Sequence, residues 1–98
     1  MSKITKAARG QQCTVMLDGV CNFNHETVVF CHYRDLSLGC GAGLKPSDLF
    51  GAFCCSSCHD ALDGRSKVPH DKEWLRNEHR RGVFKTQKIL LDEGLIKL

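Results

Sequence analysis

The sequence predicts a small α+β domain with few strands, in which a metal ion bound by cysteines replaces part of the hydrophobic core. Three observations lead to this fold class. The chain has 98 residues, enough for one domain with a modest core. Seven residues are cysteine, far above the usual share. Two short β-branched or aromatic segments precede two segments with helical patterns. We therefore expect a single domain over residues 1–98, stabilised by a metal ion.

The cysteines are expected to be reduced. The first residues are polar and basic rather than apolar like a signal peptide, and no apolar run approaches the ~20 residues that span a bilayer. These features predict a soluble cytoplasmic protein without a membrane partner, in a compartment where disulfides are rare. Seven is also an odd number, so the cysteines cannot all pair with one another. Metal ligation by thiolates accounts for them better.

Basic residues are grouped at the two ends of the chain. The net charge of +3 permits nucleic-acid binding but does not by itself indicate it. The alternative interpretation is two solvated basic faces. The cations concerned are Lys3, Lys6 and Arg9 near the N-terminus, and Arg76, Arg80, Arg81, Lys85 and Lys88 near the C-terminus.

The first part of the chain is expected to be an arm followed by a cysteine knuckle. Residues 1–12 are polar and basic and predict an arm or a short helix. Asp18-Gly19 is a hairpin turn signal. This turn lies between Cys13 and Cys21. The two cysteines are therefore expected to face each other across a short hairpin or knuckle.

Two short strands are predicted next. Residues 27–33 are rich in β-branched and aromatic side chains, which favour strands. Residues 49–54 form a second apolar segment, and Pro46 marks the boundary before it because proline cannot sit in a central strand. Between the two segments, a glycine-rich loop surrounds Cys40.

A short helix is predicted to complete the core region, which covers residues 13–64. Ser56 or Ser57 is a suitable N-cap. The helix should run over residues 57–62, with Gly64 as its C-cap.

A longer C-terminal helix is predicted over residues 71–93. Asp71 and Glu73 suit the positive end of its dipole. Gly82 lies inside the helix and costs roughly 1 kcal/mol relative to alanine, so a kink or a break is possible there. Gly94 is expected to end the helix.

Four cysteines are candidates for a structural Zn²⁺ site. Cys55 and Cys58 form a C-x-x-C pair at the start of a predicted helix, where two sulfurs can converge on one ion. Cys13 and Cys21 can supply the other two ligands, although their spacing of seven intervening residues is wide. Cys40 is the alternative ligand. A thioredoxin-like redox pair is the other interpretation of C-x-x-C, but it needs a βαβ context that this sequence lacks. The two other core cysteines, Cys31 and Cys54, are interpreted as buried small apolar residues.

A second, open metal site is suggested by two histidines and an aspartate. His59 and Asp63 are four residues apart, so both project from one face of the short helix. His32 ends the strand predicted to lie beside this helix. A helix-bound divalent ion together with a histidine that activates water is the arrangement needed for metal-assisted phosphodiester hydrolysis.

Each of these three residues also has an ordinary interpretation. His59 follows a C-x-x-C and is equally suited to be a zinc ligand or a surface residue. Asp63 precedes a glycine, as helix-end residues often do. His32 lies on an apolar strand and can be a core histidine with satisfied hydrogen bonds. Their joint occurrence favours the functional interpretation.

The chain resembles the HNH (ββα-metal, treble-clef) nucleases, and more narrowly the short lambdoid-prophage nuclease family. The order of His32, a loop with Lys45 and Asp48, and Cys55-x2-Cys58-His59-x3-Asp63 is similar to the HNH motif. The stretches that resemble the prophage family are KAARG at 6–10, GVCN at 19–22, KP-DL at 45–49 and CS-CHD--D-R at 55–65.

This resemblance implies a role for several residues. His32 takes the position of the general base, and Asp48 that of the residue that orients it. His59 and Asp63 take metal-ligand positions. Cys31, just before His32, stands where many family members have a metal-binding His or Asp. The residues implied to contact phosphate or DNA are Arg34, Lys45 and Arg65.

The resemblance also implies a function. The expected activity is a metal-dependent DNA endonuclease of phage or prophage type, acting in DNA recombination or processing in the bacterial host cytoplasm. Its expected cofactors are a structural Zn²⁺ and a divalent ion such as Mg²⁺, Mn²⁺ or Ni²⁺ at the catalytic site. Its expected partners are DNA and phage or host recombination proteins. The alternative is a non-catalytic zinc-binding module that binds DNA or a phage recombination or replication protein.

Overall fold

The computed structural model describes residues 3–35 and 47–96 and shows a small α+β domain with a two-stranded sheet and a long C-terminal helix. The predicted glycine-rich loop, with Cys40, Lys45 and Pro46, lies outside the described residues. No helix in the described part of the chain is long and apolar enough to cross a membrane. In chain order the elements are α1 (Lys3–Ala7), a one-turn 3-10 helix (His25–Thr27), β1 (Val29–His32), β2 (Gly51–Cys54), α2 (Ser56–Leu62) and α3 (Lys72–Asp92).

The two strands are antiparallel, and their register fixes the end of β1. His32 pairs with Gly51, and Phe30 pairs with Phe53. A Cβ on Gly51 would overlap the Phe30 ring, so only glycine allows this close approach. Since side chains alternate along a strand, Cys31 and His32 point to opposite faces of the sheet.

The helix α3 packs on β2 and closes the core. Val83 and Leu90 are buried in this interface, and Phe53 on the strand is fully buried. The helix continues through Gly82, so the break considered from the sequence is absent. A Cβ at Gly82 would lie 2.7 Å from Val15 Cγ2. Glycine is therefore required here for close packing of the helix.

The predicted N-cap of α2 was wrong. Cys55, rather than Ser56 or Ser57, is the N-cap, because its sulfur accepts a hydrogen bond from the backbone N–H of Cys58 at 3.4 Å. The same sulfur is a candidate metal ligand, so one side chain serves both the helix end and the metal site. Gly64 follows the C-cap residue of α2 with a φ of 77°, as the sequence predicted for a glycine at this helix end.

Residues 13–21 form a knuckle without any strand, so the knuckle rather than the hairpin is the observed one of the two structures expected for this segment. The amides of Val20 and Cys21 both donate to the Leu17 carbonyl, each at 3.0 Å, which makes a tight turn around Gly19. At the start of this segment, the amide of Thr14 donates a hydrogen bond to the Phe53 carbonyl on β2 at 2.8 Å. The start of the knuckle is therefore hydrogen-bonded to β2.

Candidate active site and metal centres

Four cysteine sulfurs from the knuckle and from α2 form one cluster. The Sγ atoms of Cys13, Cys21, Cys55 and Cys58 all lie within 4.8 Å of one another. The separation between Cys21 Sγ and Cys55 Sγ is 3.7 Å. Four sulfurs at about 2.3 Å from a tetrahedral Zn²⁺ are about 3.8 Å apart. The cluster can therefore hold a metal such as zinc. Its members are the four cysteines predicted from the sequence.

Backbone amides point at these sulfurs, as thiolate ligands require. The amide of Met16 donates to Cys13 Sγ at 3.3 Å, and that of Leu17 donates to Cys58 Sγ at 3.4 Å. Met16 has a φ of 42°, which is unusual for a residue other than glycine. This backbone strain occurs where the chain turns an N–H toward a sulfur, so the knuckle is shaped around the cluster.

The pKa values of the thiols in this cluster depend on the hydrogen bonds between them and on their burial. A hydrogen bond from the Cys58 thiol lowers the pKa of Cys13 to about 5. The same contact raises the pKa of Cys58, because Cys58 is then the group that keeps its proton. Burial raises the pKa of Cys21 to about 11. Without metal the cluster therefore holds a thiolate on Cys13 and protons on Cys21 and Cys58, which a metal ion would displace.

A second group of metal-binding side chains joins β1 to α2. The ligand atoms of Cys31, His59 and Asp63 lie within 4.8 Å of one another. His59 Nε2 is 3.2 Å from Asp63 Oδ2. The buried thiol of Cys31 thus meets the helical pair from the strand side. His59 and Asp63 are only partly buried, with side-chain exposures of 28% and 37%, so this site is open toward solvent.

Arg65 adds a cation to the open side of this second site. Its guanidinium lies 3.2 Å from Asp63 Oδ2 and 3.5 Å from Asp60 Oδ1. The arginine side chain is 64% exposed, so these are weak surface ion pairs. A guanidinium held at the edge of a metal site can also contact an anion bound there. Arg34, the other described candidate for a DNA contact, is exposed just beyond β1.

His32 and Asp48 form a pair on the other face of the sheet. His32 Nε2 is 2.8 Å from Asp48 Oδ1. The Phe30 ring lies edge-on to the imidazole, with 5.1 Å between ring centroids. His32 itself is 17% exposed and Asp48 is 32% exposed. The sequence placed His32 beside His59 and Asp63; in the structure the side chain of the preceding residue, Cys31, is the one that lies within 4.8 Å of their ligand atoms.

A third group lies beneath α3 and was not predicted from the sequence. The ligand atoms of Cys31, Cys54 and His79 lie within 4.8 Å of one another, and all three residues are buried. His79 Nε2 is 3.0 Å from the Cys31 carbonyl oxygen. A hydrogen bond from the Cys54 thiol and the nearby His79 lower the pKa of Cys31 to about 5. Cys31 and Cys54 are buried as expected, but they contact a histidine rather than only apolar atoms.

The whole chain is similar to known proteins. The family model described as "Putative nuclease YbcO" matches residues 2–95. The proteins of that name from Escherichia coli strain K12 and from Enterobacteria phage 82 are each 44% identical over 97 residues, which is 99% of both chains compared. A solved structure of a bacteriophage protein from Escherichia coli K-12 MG1655 has a TM-score of 0.77 at 41% identity, and it covers 93% of this chain and 99% of its own.

Proposed function

The chain belongs to the YbcO nuclease family, and we propose that it is a metal-dependent endonuclease that hydrolyses DNA phosphodiester bonds. One observation carries the proposal: the consecutive residues Cys31 and His32 of β1 belong to two different groups of side chains. The first group is suited to bind a metal ion, and the second is suited to accept a proton. Cys31 completes a potential metal site with His59 and Asp63. His32 pairs with the carboxylate of Asp48. Metal-assisted hydrolysis needs a metal site and a histidine base, and the end of β1 carries both, one on each face of the sheet, so the scissile phosphate would bind across this strand end to meet the two.

The donor set at Cys31 fits a transition metal. A thiol, an imidazole and a carboxylate supply three different ligand types, and the partial exposure of two of them leaves room for further ligands. A sulfur ligand favours Zn²⁺, Ni²⁺ or another borderline ion over Mg²⁺, which prefers oxygen. A divalent ion bound there would polarise the phosphate and stabilise the charge on the leaving oxygen.

His32 supplies the proton acceptor. An ionised Asp48 can only accept, so the 2.8 Å contact assigns the proton to His32 Nε2. The other ring nitrogen, Nδ1, then has a free lone pair and can take a proton from an attacking water molecule. Asp48 fixes the ring orientation and stabilises the imidazolium that forms. Arg65, beside Asp63, would contact a non-bridging phosphate oxygen.

The arrangement of elements supports an HNH-type mechanism. A strand and a helix each supply candidate metal ligands, and a histidine follows the strand ligand directly. This order is consistent with the ββα-metal arrangement implied by the resemblance described above, in which the four-sulfur cluster would be the closed structural zinc site. One of the relatives named as a nuclease is from Enterobacteria phage 82. We extend the proposal to phage DNA recombination or processing within the bacterial cytoplasm.

Cleavage of defined DNA substrates tests the proposal. Zinc-loaded wild type and His32→Ala are compared on supercoiled, linear and single-stranded DNA with Mg²⁺, Mn²⁺, Ni²⁺ or added chelator. His70→Ala is the matched control, because His70 lies outside all three metal-binding groups. We expect metal-dependent nicking that His32→Ala abolishes and His70→Ala retains, with the fold of each variant checked by circular dichroism.

Two outcomes would overturn the endonuclease proposal. The first is unchanged cleavage by His32→Ala, which would show that His32 is not the base. The second is no cleavage under any condition by folded, zinc-loaded wild type. If that protein still bound DNA with strong salt dependence, the non-catalytic module would replace the nuclease.

A further inference from the structure

A cavity of about 970 Å³ lies between the N-terminal arm and β1, and the His32–Asp48 pair forms part of its wall. The arm contributes Lys6 and Arg9, and β1 contributes Val29 and Phe30. This volume is at the upper end of the range for ligand sites, about 300–1,000 Å³. None of the three metal-binding groups accounts for this space, so it needs its own explanation.

Two cations are held at this cavity by an ordered arm. Lys6 belongs to α1, and Arg9 lies in the turn that follows it; both are exposed. Ala8 between them is 1% exposed and anchors the arm in the core. Gln11 extends the anchoring, because its side-chain amide donates to Glu93 on the far end of α3 at 3.0 Å. The cations are therefore positioned on the folded domain and do not belong to a free tail.

The β1 side of the cavity is apolar. Val29 is 43% exposed, which is high for valine on a strand, and it lines the cavity together with the Phe30 ring. Phe30 is held between Phe53 and His32 by edge-on ring contacts. The cavity therefore combines a rigid aromatic surface on one side with cations on the other.

We propose that this cavity binds an unpaired segment of a DNA strand. Phosphates would contact Lys6 and Arg9, and a base would pack on the Phe30 ring. A cationic groove with an aromatic platform is the common design of single-strand sites, whereas a duplex keeps its bases stacked and would leave the apolar wall unused. This inference rests on the proposed nuclease function in one respect: the bound strand would pass beside His32.

Two carboxylates also line the cavity and set limits on binding. Asp48 faces His32 at 2.8 Å, so its charge is directed at the imidazole. Glu26 lies on the 3-10 helix and is exposed. Its charge would repel a phosphate. Removal of that charge by Glu26→Gln should therefore strengthen the binding of a strand in this cavity.

Equilibrium binding of labelled oligonucleotides tests the proposal. Fluorescence anisotropy is measured with full-length zinc-loaded protein, without added divalent ion, on a single strand, its duplex and an abasic strand of equal length. We expect the single strand to bind at least fivefold more tightly than either of the other two. Lys6→Gln/Arg9→Gln should weaken this binding at least tenfold and reduce the salt slope by about 1.4, since each single-strand phosphate contact contributes about 0.7.

A control variant that loses the same charge elsewhere distinguishes binding in this cavity from nonspecific electrostatic attraction of DNA to the protein. Lys67→Gln/Lys72→Gln removes two exposed cations that do not line the cavity, one in the loop before α3 and one at the first residue of α3. Equal weakening by both double variants, or tighter binding of the duplex than of the single strand, would overturn the proposal. Binding is scored separately from cleavage. A protein that binds but does not cut would therefore contradict only the nuclease function, and one that cuts without the expected binding pattern would contradict only this cavity.

Discussion

The hydroxyl groups of Thr14 and Thr86 lie 2.8 Å apart at the centre of the domain, although 72 positions separate them in the chain. Thr86 Oγ1 also accepts from the amide of Phe53 at 3.1 Å, and Thr14 Oγ1 donates to the carbonyl of the same residue at 3.1 Å. Both threonines are buried. Two side chains therefore join the knuckle, β2 and α3 through a closed set of hydrogen bonds.

Substitution of Thr86 by valine should destabilise the domain more than substitution by serine. Thr86→Val keeps the shape but leaves the buried Phe53 amide without an acceptor, which costs about 1–3 kcal/mol. Thr86→Ser keeps the hydroxyl and loses one methyl group, which costs about 0.8 kcal/mol. Denaturant unfolding of zinc-loaded protein measures both. A valine variant as stable as the serine variant would show that the hydroxyl network contributes little.

Gly82→Ala should destabilise the protein despite the better helix propensity of alanine. The gain in propensity is about 1 kcal/mol. The added Cβ would lie 2.7 Å from Val15 Cγ2 and 3.3 Å from the Val15 Cα, and such overpacking costs about 1–3 kcal/mol. Lys85→Ala, at an exposed position of the same helix, is the control and should change the free energy of unfolding by less than about 0.5 kcal/mol. A Gly82→Ala variant more stable than wild type would show that Val15 and the knuckle around it can move aside at little cost in free energy.

Asp48→Asn should lower the cleavage rate without unfolding the protein. The asparagine side chain has the same size but no charge, so it stabilises the His32 imidazolium less. We expect a loss of roughly 10- to 100-fold in kcat, a part of the 10²–10⁴ that a general base contributes. Asp18→Asn, on the exposed knuckle turn, is the control and should keep full activity. Single-turnover experiments measure the cleavage rate, and thermal unfolding measures the stability of each variant. Equal cleavage rates for Asp48→Asn and Asp18→Asn would show that Asp48 does not contribute to catalysis.

Cys31→Ser and Cys54→Ser should separate the open metal site from the group beneath α3. Both cysteines are buried, but only Cys31 meets His59 and Asp63. We expect wild type and Cys54→Ser to bind two metal ions per chain and Cys31→Ser to bind one and to lose cleavage. Metal analysis of dialysed protein gives the stoichiometry. Two ions in Cys31→Ser would show that the thiol is not a ligand.

Local sequence signals predicted most of the fold. Asp71, expected in the first turn of α3, is its N-cap, and Gly94 follows the C-cap Glu93 with a φ of 76°, as expected for a glycine that ends a helix. The β-branched segment before His32 forms β1, as expected. Spacing within α2 also brought His59 and Asp63 together as predicted. These signals succeed because they act over a few residues, where chain geometry fixes the outcome.

The missed features depend on contacts between distant segments. Nothing local indicates that Thr14 hydrogen-bonds to β2, so the sequence left a hairpin and a knuckle both open for residues 13–21. The pairing of Cys31 with two α2 residues and with His79 depends on how both helices pack on the sheet. The strand position of Cys31, one residue before His32, was the only available signal, and it came from the resemblance to HNH nucleases.

Zinc binding to the four-sulfur cluster should release protons and weaken as the pH falls. In the metal-free protein the pKa of Cys13 is lowered to about 5, so this thiol is already ionised at pH 7. The pKa of Cys21 is raised to about 11 and that of Cys58 is also raised, so both keep their protons there. Zinc needs thiolates and must displace these protons, so its affinity rises with pH up to the raised pKa values. Below about pH 5 the Cys13 thiolate is protonated as well, and affinity falls more steeply.

Calorimetric zinc titrations in buffers with different ionisation enthalpies measure the protons released. Cys21→Ser should release fewer protons than wild type, and Cys54→Ser, which lies outside the cluster, should release the same number. Because metal binding is coupled to folding in such small domains, chelator at pH 5 should unfold the protein faster than chelator at pH 8. Zinc affinity that is independent of pH would mean that the four thiols are already ionised and that the shared-proton description of the metal-free cluster is wrong.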